Sequence, residues 1–330
     1  MSTPVTLLPG DANGPELCEA AQRVLDHAGV AIDWRPCPLP PVGPGPKGIP
    51  DDVIDAIRAT GLGFKAYHHA WHADKSAAPP IVEIRRKLGL WANLRPSRTL
   101  AGIPSRHTDV DLVVVREITE DIYAHLEHES IPGVFESLKV TTRAACERIV
   151  RHAFTYARAT GRKKVTIVHK ANIMKQSDGL FLKVGREIAS LFPDIISEDV
   201  IVDALCMKLV LTPSRFDVLV AGNLYGDIVS DLCAGIVGGA TNAPSINHGE
   251  AATVFACPHG DKGEFLAADR GNPILTLLPA AELARHLGHA DVAERIRDAI
   301  SGALLAGVRP YSLGGNAGTQ VFTAAVLERL

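Results

Sequence analysis

Two aspartates four residues apart, Asp227 and Asp231, follow a largely apolar run from Phe216 to Ala221. The run predicts a buried strand, and the residues from Tyr225 to Gly238 predict a helix. On that helix the two carboxylates lie on one face, one turn apart. Carboxylates stacked this way repel unless a cation, a hydrogen-bonding network or water relieves them. They are hard oxygen ligands of the kind Mg²⁺ and Mn²⁺ prefer. A third acid, Asp203, sits in the apolar stretch Ile201–Met207, where a charge needs a partner. Taken alone, the pair is more simply read as a helix cap, Asp227, and a solvated acid, Asp231. The rest of the chain changes that balance.

The countercharges come from other segments. Leu90 to Leu94 predicts a strand ending at Arg95, and Val110 to Val115 one ending at Arg116. Ile81 to Leu88 predicts a helix carrying Arg85 and Arg86. A guanidinium is a planar, always-charged fork suited to carboxylates, and strand ends are where sites are built. Lys170 follows a predicted strand, Val165 to Val168, and is a candidate for a lowered pKa.

These groups need a frame. Strands are predicted at Val5–Leu8, Ala31–Trp34, Leu62–Ala66 and Thr253–Ala256, and an extended stretch at Gly133–Thr141. Helices are predicted at Pro15–His27, Asp51–Thr60, Gly179–Leu191, Val202–Leu211, Pro273–Leu287, Asp291–Ala306 and Thr319–Leu330. Thr142 to Thr160 predicts a long amphipathic helix with Ala145, Ile149, Ala153 and Ala157 on one side. Strands alternating with helices make the fold α/β.

Other features bound the function. A net charge of −3 gives no case for nucleic acid, and no apolar run reaches membrane-spanning length. The N-terminus lacks a secretory pattern, so a cytoplasmic protein is expected. Cys18, Cys37, Cys146, Cys206, Cys233 and Cys257 are scattered, which predicts reduced thiols and neither disulfides nor a zinc site. Gly43-x-Gly45-x-x-Gly48 spells the dinucleotide fingerprint. No strand feeds it, and Pro44 and Pro46 remove donors a pyrophosphate would need. It is read as a loop. His68, His69, His72 and Lys75 cluster around Trp71 without a nearby carboxylate, which favours meeting an anion over binding a metal.

Together these segments resemble the metal-dependent β-decarboxylating dehydrogenases: isocitrate, 3-isopropylmalate, homoisocitrate and D-malate (tartrate) dehydrogenases. The resemblance runs from Pro9-Gly10-Asp11 to Leu313-Gly314-Gly315. It is carried by Ala92-Asn93-Leu94-Arg95-Pro96, Val115-Arg116-Glu117 with Tyr123, His169-Lys170-Ala171-Asn172-Ile173-Met174, Asp203 and the acidic helix. It is closest to isocitrate and homoisocitrate members. The resemblance implies that Arg85, Arg95 and Arg116 clamp the malate carboxylates of the substrate. Tyr123 would protonate the product of decarboxylation, and Lys170 would assist removal of the hydroxyl proton. Asp203, Asp227 and Asp231 would hold Mg²⁺ or Mn²⁺. Lys170 and Asp203 would reach into a partner's site, which implies an obligate homodimer with shared active sites. A large cofactor-side domain is expected at residues 1–100 and 250–330, and a smaller dimerisation domain at 101–249.

The family binds its dinucleotide without a Rossmann fingerprint. Phe255 to Pro273 resembles the adenosine-binding loop, with His259, Gly260 and Asn272 in place and Glu264 where NAD-using members carry Asp. A carboxylate there accepts from ribose hydroxyls and repels a 2′-phosphate. NAD is expected, with NADP as the alternative. Ser312 departs from the Asp of many NAD-using members. Family members also carry Lys-Gly-Pro and Thr-Thr-Pro where this chain has Lys65-Ala66-Tyr67 and the histidines. The expected substrate is a 3-substituted (R)-malate-type hydroxy acid with an anionic substituent: isocitrate, homoisocitrate or a phosphonate analogue. The alternatives are 3-isopropylmalate or D-malate as substrate, or a regulatory subunit of a heteromeric isocitrate dehydrogenase.

Overall fold

The computed structural model of the protein describes residues 2–40, 48–70 and 78–330. Gly43, Gly45, Trp71, His72 and Lys75 lie outside the described residues, and with them most of the glycine string and half of the cationic stretch.

Along the chain come β1 (Thr3–Leu8), α1 (Gly14–His27), β2 (Ile32–Pro36), α2 (Asp51–Thr60), β3 (Leu62–Lys65), α3 (Pro80–Leu88) and β4 (Ala92–Arg98). β5 (Asp111–Glu117) leads into a two-stranded arm, β6 (Glu127–Ile131) and β7 (Val134–Ser137). Then follow α4 (Arg143–Ala159), β8 (Lys164–His169), α5 (Ser177–Ala189), β9 (Ile196–Ile201), α6 (Val202–Leu211), β10 (Val218–Ala221) and α7 (Asn223–Ile236). The last elements are β11 (Ser245–His248), β12 (Thr253–Ala256), α8 (Ile274–His286), α9 (Ala290–Leu305) and α10 (Thr319–Leu327). The α/β reading of the sequence holds. Strands β6, β9 and β11 are additions to it. β9 reads Ile-Ser-Glu-Asp-Val-Ile and buries only Val200, so its polar, exposed residues give no strand signal.

The chain forms two compact units. One contains Met1–Leu90, Thr99–Thr108 and Gly238–Leu330; the other contains Trp91–Arg98 and Asp109–Val237. The sequence reading set its cuts at 100/101 and 249/250. The difference at β4 has a direct cause: β4 pairs antiparallel along its whole length with β5, from Ala92 opposite Glu117 to Arg98 opposite Asp111.

In the terminal unit, β1 pairs in parallel with β2 and β3, β3 in parallel with β12, and β12 antiparallel with β11. The turn after β1 needs Gly10. Its φ is +79°, and a Cβ there would sit 2.3 Å from the Tyr67 carbonyl oxygen. In the middle unit, β5, β10, β8 and β9 run parallel in that order. The stripe expected on α4 is buried, together with Cys146, Val150 and Phe154. Thr142 caps that helix, its Oγ1 accepting from the Ala145 amide at 3.2 Å. No described helix is long and apolar enough to cross a membrane.

Phe154 is fully buried and stacks against Phe192 with centroids 5.2 Å apart. Phe154→Ala should therefore lower the unfolding free energy of the middle unit by about 3–5 kcal/mol in denaturant titration. A loss under about 1 kcal/mol would mean that this helix does not anchor the unit.

Candidate active site

The middle unit gathers its chemistry beyond the carboxyl ends of its parallel strands, where open α/β sheets bind ligands. Ala221 of β10 stands in register with Arg116 of β5, and His169 of β8 with Ile201 of β9. The residues that leave these strand ends are Asn223, Lys170 and Asp203.

On the antiparallel pair, Arg95 lies opposite Val114, two residues from Arg116. Both arginines therefore point to one face, the face that packs on α7. The sequence reading put each arginine at a strand end; both lie inside strands that continue to Arg98 and Glu117. Each is only 4% exposed. Arg95 Nη2 donates to Asp231 Oδ1 at 3.0 Å, and Arg116 Nη1 donates to Asp227 Oδ1. Burial works against the charge of Arg95 and lowers its pKa, while Asp231 opposes the shift. The Tyr123 hydroxyl donates to Asp227 Oδ2, and the Arg116 guanidinium lies 5.1 Å from the Tyr123 ring centre. Burial, followed by the Asp227 carboxylate, raises the Tyr123 pKa and keeps the phenol a proton donor.

Asp227 does not cap its helix. α7 begins at Asn223, a full turn earlier, with Gly222 as its N-cap. Nor is Asp203 held in apolar surroundings. Its side chain is 68% exposed and pairs with Lys170 Nζ at 2.6 Å. The Lys170 ammonium holds the Asp203 carboxyl below the usual carboxylate range. Two groups of predicted residues thus form within the unit: Arg95, Arg116, Tyr123, Asp227 and Asp231 in one, Lys170 and Asp203 in the other.

The donor set of the first group fits a hard divalent cation in part. Asp227 and Asp231 offer carboxylate oxygens on one helix face, with side chains 38% and 56% exposed. Among the described residues, no three acidic, histidine or cysteine side chains converge on a common point.

In the terminal unit, Arg85 Nε donates to Asn247 Oδ1 at 2.8 Å. Asn272 is buried; its amide donates to Asp261 Oδ2 at 2.8 Å and its Nδ2 to Ser312 Oγ at 3.0 Å. Glu264 is exposed on the turn Gly263–Leu266, and His259 is exposed nearby. Gly260 packs so closely that a Cβ would meet the Tyr67 ring at 2.5 Å. His68 is 2% exposed and turned inward, with Nδ1 3.2 Å from the Ala66 carbonyl oxygen. The sequence reading had it meet an anion; its ring is buried instead. Tyr67 and His69 stack edge to face, 4.9 Å apart.

Two organising residues escaped the sequence reading. Asn223 is 1% exposed; its Oδ1 accepts from Arg116 Nε at 3.0 Å and Nη2 at 2.7 Å. Its place directly after a buried strand was the available signal. Glu117 is 3% exposed and turns the chain toward Tyr123, accepting from the Thr119 amide at 2.8 Å and the Glu120 amide at 3.1 Å. Its place in the block Val115-Arg116-Glu117 was the available signal.

Gly226 lies where α7 crosses β5. A Cβ there would stand 2.5 Å from Arg116 Cγ and 2.7 Å from its Cβ, the root of the side chain, which cannot swing away. Gly226→Ala should cost about 1–3 kcal/mol of stability and lower kcat/KM about 100-fold by displacing Arg116. Wild-type kinetics in that variant would show the arginine to be free to move. Lys65 is 2% exposed, its Nζ donating to the Ala66 carbonyl at 2.9 Å, and burial pushes its pKa from 10.5 down to about 8. Between those values the unfolded chain holds a proton that the folded chain has released, so stability rises with pH across that window. Lys65→Met should flatten the rise by on the order of 3 kcal/mol, read from denaturant unfolding at both ends of the window. Parallel pH curves for the two proteins would contradict this.

The chain was compared with known proteins. Residues 4–330 match the family model described as isocitrate/isopropylmalate dehydrogenase. A probable NAD isocitrate dehydrogenase subunit alpha, mitochondrial, of Caenorhabditis elegans is 41% identical over 99% of this chain and 92% of its own length. A 3-isopropylmalate dehydrogenase of Archaeoglobus fulgidus is 39% identical over 99% of both chains. The crystal structure of isocitrate dehydrogenase from Methylococcus capsulatus superposes with a TM-score of 0.86 at 38% identity, covering 100% of this chain and 99% of the other. With this whole-chain match, the α/β fold is that of the decarboxylating dehydrogenases: the chain belongs to the isocitrate/isopropylmalate dehydrogenase family.

Proposed function

We propose that the protein catalyses the NAD-dependent oxidative decarboxylation of a 3-substituted (R)-malate-type hydroxy acid bearing an anionic substituent, with isocitrate as the first candidate. The observation that carries this reading is the cluster on α7, where two carboxylates one turn apart each meet a buried arginine and one of them, Asp227, also accepts from Tyr123 Oη. A divalent cation bound by Asp227 and Asp231 would lower the pKa of the substrate hydroxyl and draw electron density from the carbon that loses CO₂, while the dinucleotide accepts the hydride.

The chain's own residues would do the rest. Arg95 and Arg116 exchange one carboxylate partner, Asp231 or Asp227, for a carboxylate of the substrate. Lys170 assists removal of the hydroxyl proton. Tyr123, held as a neutral phenol, delivers a proton to the carbon left electron-rich when CO₂ departs. In the terminal unit, Glu264 accepts from the ribose hydroxyls and His259, Gly260 and Asn272 complete the dinucleotide loop. A carboxylate at Glu264 disfavours a 2′-phosphate, so NAD is preferred over NADP.

The active unit is read as a homodimer in which Lys170 and Asp203 serve the site of a second copy. Two features support this. On α6, Asp203 shares an exposed face with Met207 and Leu211, 56% and 59% exposed, at helical spacing. The arm β6–β7 exposes Ile131 and Phe135 by 63% and 69%. A two-stranded ribbon is marginal alone, and such side chains are buried by association. A 3-isopropylmalate-type substrate is the second reading, favoured by Ile81 and the exposed Val82 at the start of α3.

Reduced-nicotinamide absorbance should rise only with Mg²⁺ or Mn²⁺ present, and chelation should abolish it reversibly. Across isocitrate, homoisocitrate, 3-isopropylmalate and malate, kcat/KM should favour the acids with a carboxylated substituent, with NAD at least about tenfold better than NADP. A tenfold difference corresponds to about 1.4 kcal/mol. Clear preference for 3-isopropylmalate would replace this reading with the second, and no turnover with any acid would end both.

A further inference from the structure

Behind the Tyr123 turn lies a set of charges that the reaction does not use. Asp121 is 2% exposed and adopts φ +77°, ψ −152°, a backbone conformation disfavoured for any residue but glycine. Holding a non-glycine residue there costs on the order of 1–3 kcal/mol and persists only where the surroundings fix it. They do so on every side. The Asp121 amide donates to the Val140 carbonyl at 3.0 Å. Its Oδ1 accepts from the Ile122 amide at 2.8 Å, one residue before Tyr123. Its Oδ2 accepts from Lys139 Nζ at 2.7 Å and from the Leu224 amide at 3.1 Å, in the first turn of the helix bearing Asp227.

Lys139 carries the linkage onward. Its side chain is 17% exposed, its ammonium lies 5.1 Å from the centre of the Tyr225 ring, and it is 3.6 Å from Asp178 Oδ1. Asp178, at the start of α5, is 4% exposed, and its Oδ2 accepts from the Lys170 amide at 2.6 Å. Ionic contacts from Asp121 through Lys139 to Asp178, closed by a hydrogen bond from the Lys170 amide, thus join the turn carrying Tyr123 to the turn carrying Lys170. Burying three charges contributes little stability over apolar packing of the same volume. What the charges add is direction: each carboxylate accepts from specified backbone amides and so fixes where the adjoining side chain starts.

We propose that Asp121, Lys139 and Asp178 act as a positioning relay in which Asp121 sets Tyr123 and Asp178 sets Lys170, each independently of the other, while Lys139 neutralises both carboxylates. This rests on the shared-site reading. Under it, Tyr123 and Lys170 of one protomer work in different active sites, so one relay serves both sites of the dimer.

The test compares dimers assembled from two differently tagged copies of the full chain. With Asp121→Asn and Asp178→Asn in the same copy and the other copy wild type, each site receives one misplaced group. Activity should fall below about one-tenth of wild type, as a loss in kcat with KM for the hydroxy acid little changed; a misplacement near 1 Å costs about 100-fold per site. With one substitution in each copy, both faults fall in one site and the other is intact, so about half the activity should remain. Both dimers carry the same substitutions, so a general loss of stability would lower them equally. Equal activities in the two arrangements, or wild-type activity in both, overturn the relay. A dimer with Tyr123→Phe in one copy and Lys170→Met in the other separates the two failures. Half activity upholds shared sites; near-zero activity means that the sites are not shared and the relay falls with that reading.

Discussion

The site depends on one electrostatic constraint: two carboxylates held a helical turn apart must be neutralised whether or not a cation is bound. Asp227 and Asp231 meet that demand one for one, through Arg116 and Arg95. Both arginines are buried, and removing either partner would leave an uncompensated charge, which is far more costly than the pair itself is stabilising. The cluster therefore locks α7 against β4 and β5 in the resting protein. It also holds both guanidinium groups in fixed orientations.

That constraint explains the supports around it. Asn223 accepts from two nitrogens of Arg116 and fixes the plane of the fork. Gly226 lets the helix approach the strand closely enough for the arginine to pass. Glu117 and Asp121 bend the chain leaving β5 so that Tyr123 returns to Asp227. None of these residues has reactive chemistry of its own. Each fixes the position of one that does.

The second group, Lys170 with Asp203, stands on a face with exposed apolar side chains. An ion pair with one member 68% exposed contributes little stability in water. Its place on that surface is what the proposed association would use.

Much of the frame was legible in the sequence because it depends on local pattern. Helices α2 and α6 and strand β12 follow from periodicity and flanking residues, as does the buried stripe of α4. The acidic pair on one helix face follows from a spacing of four. The ordered blocks were specific enough to identify the family. The sequence could not set the register that brings Arg95 and Arg116 to one face, because pairing between strands separated by a loop is decided by the packed sheet. It could not show that Asp203 is exposed and paired, because apolar neighbours along a helix say nothing about which face meets solvent. The strained turn at Asp121 and its tie through Lys139 to Asp178 were equally hidden: their contacts span 18 and 39 residues, and only the closed fold brings those charges within bonding distance.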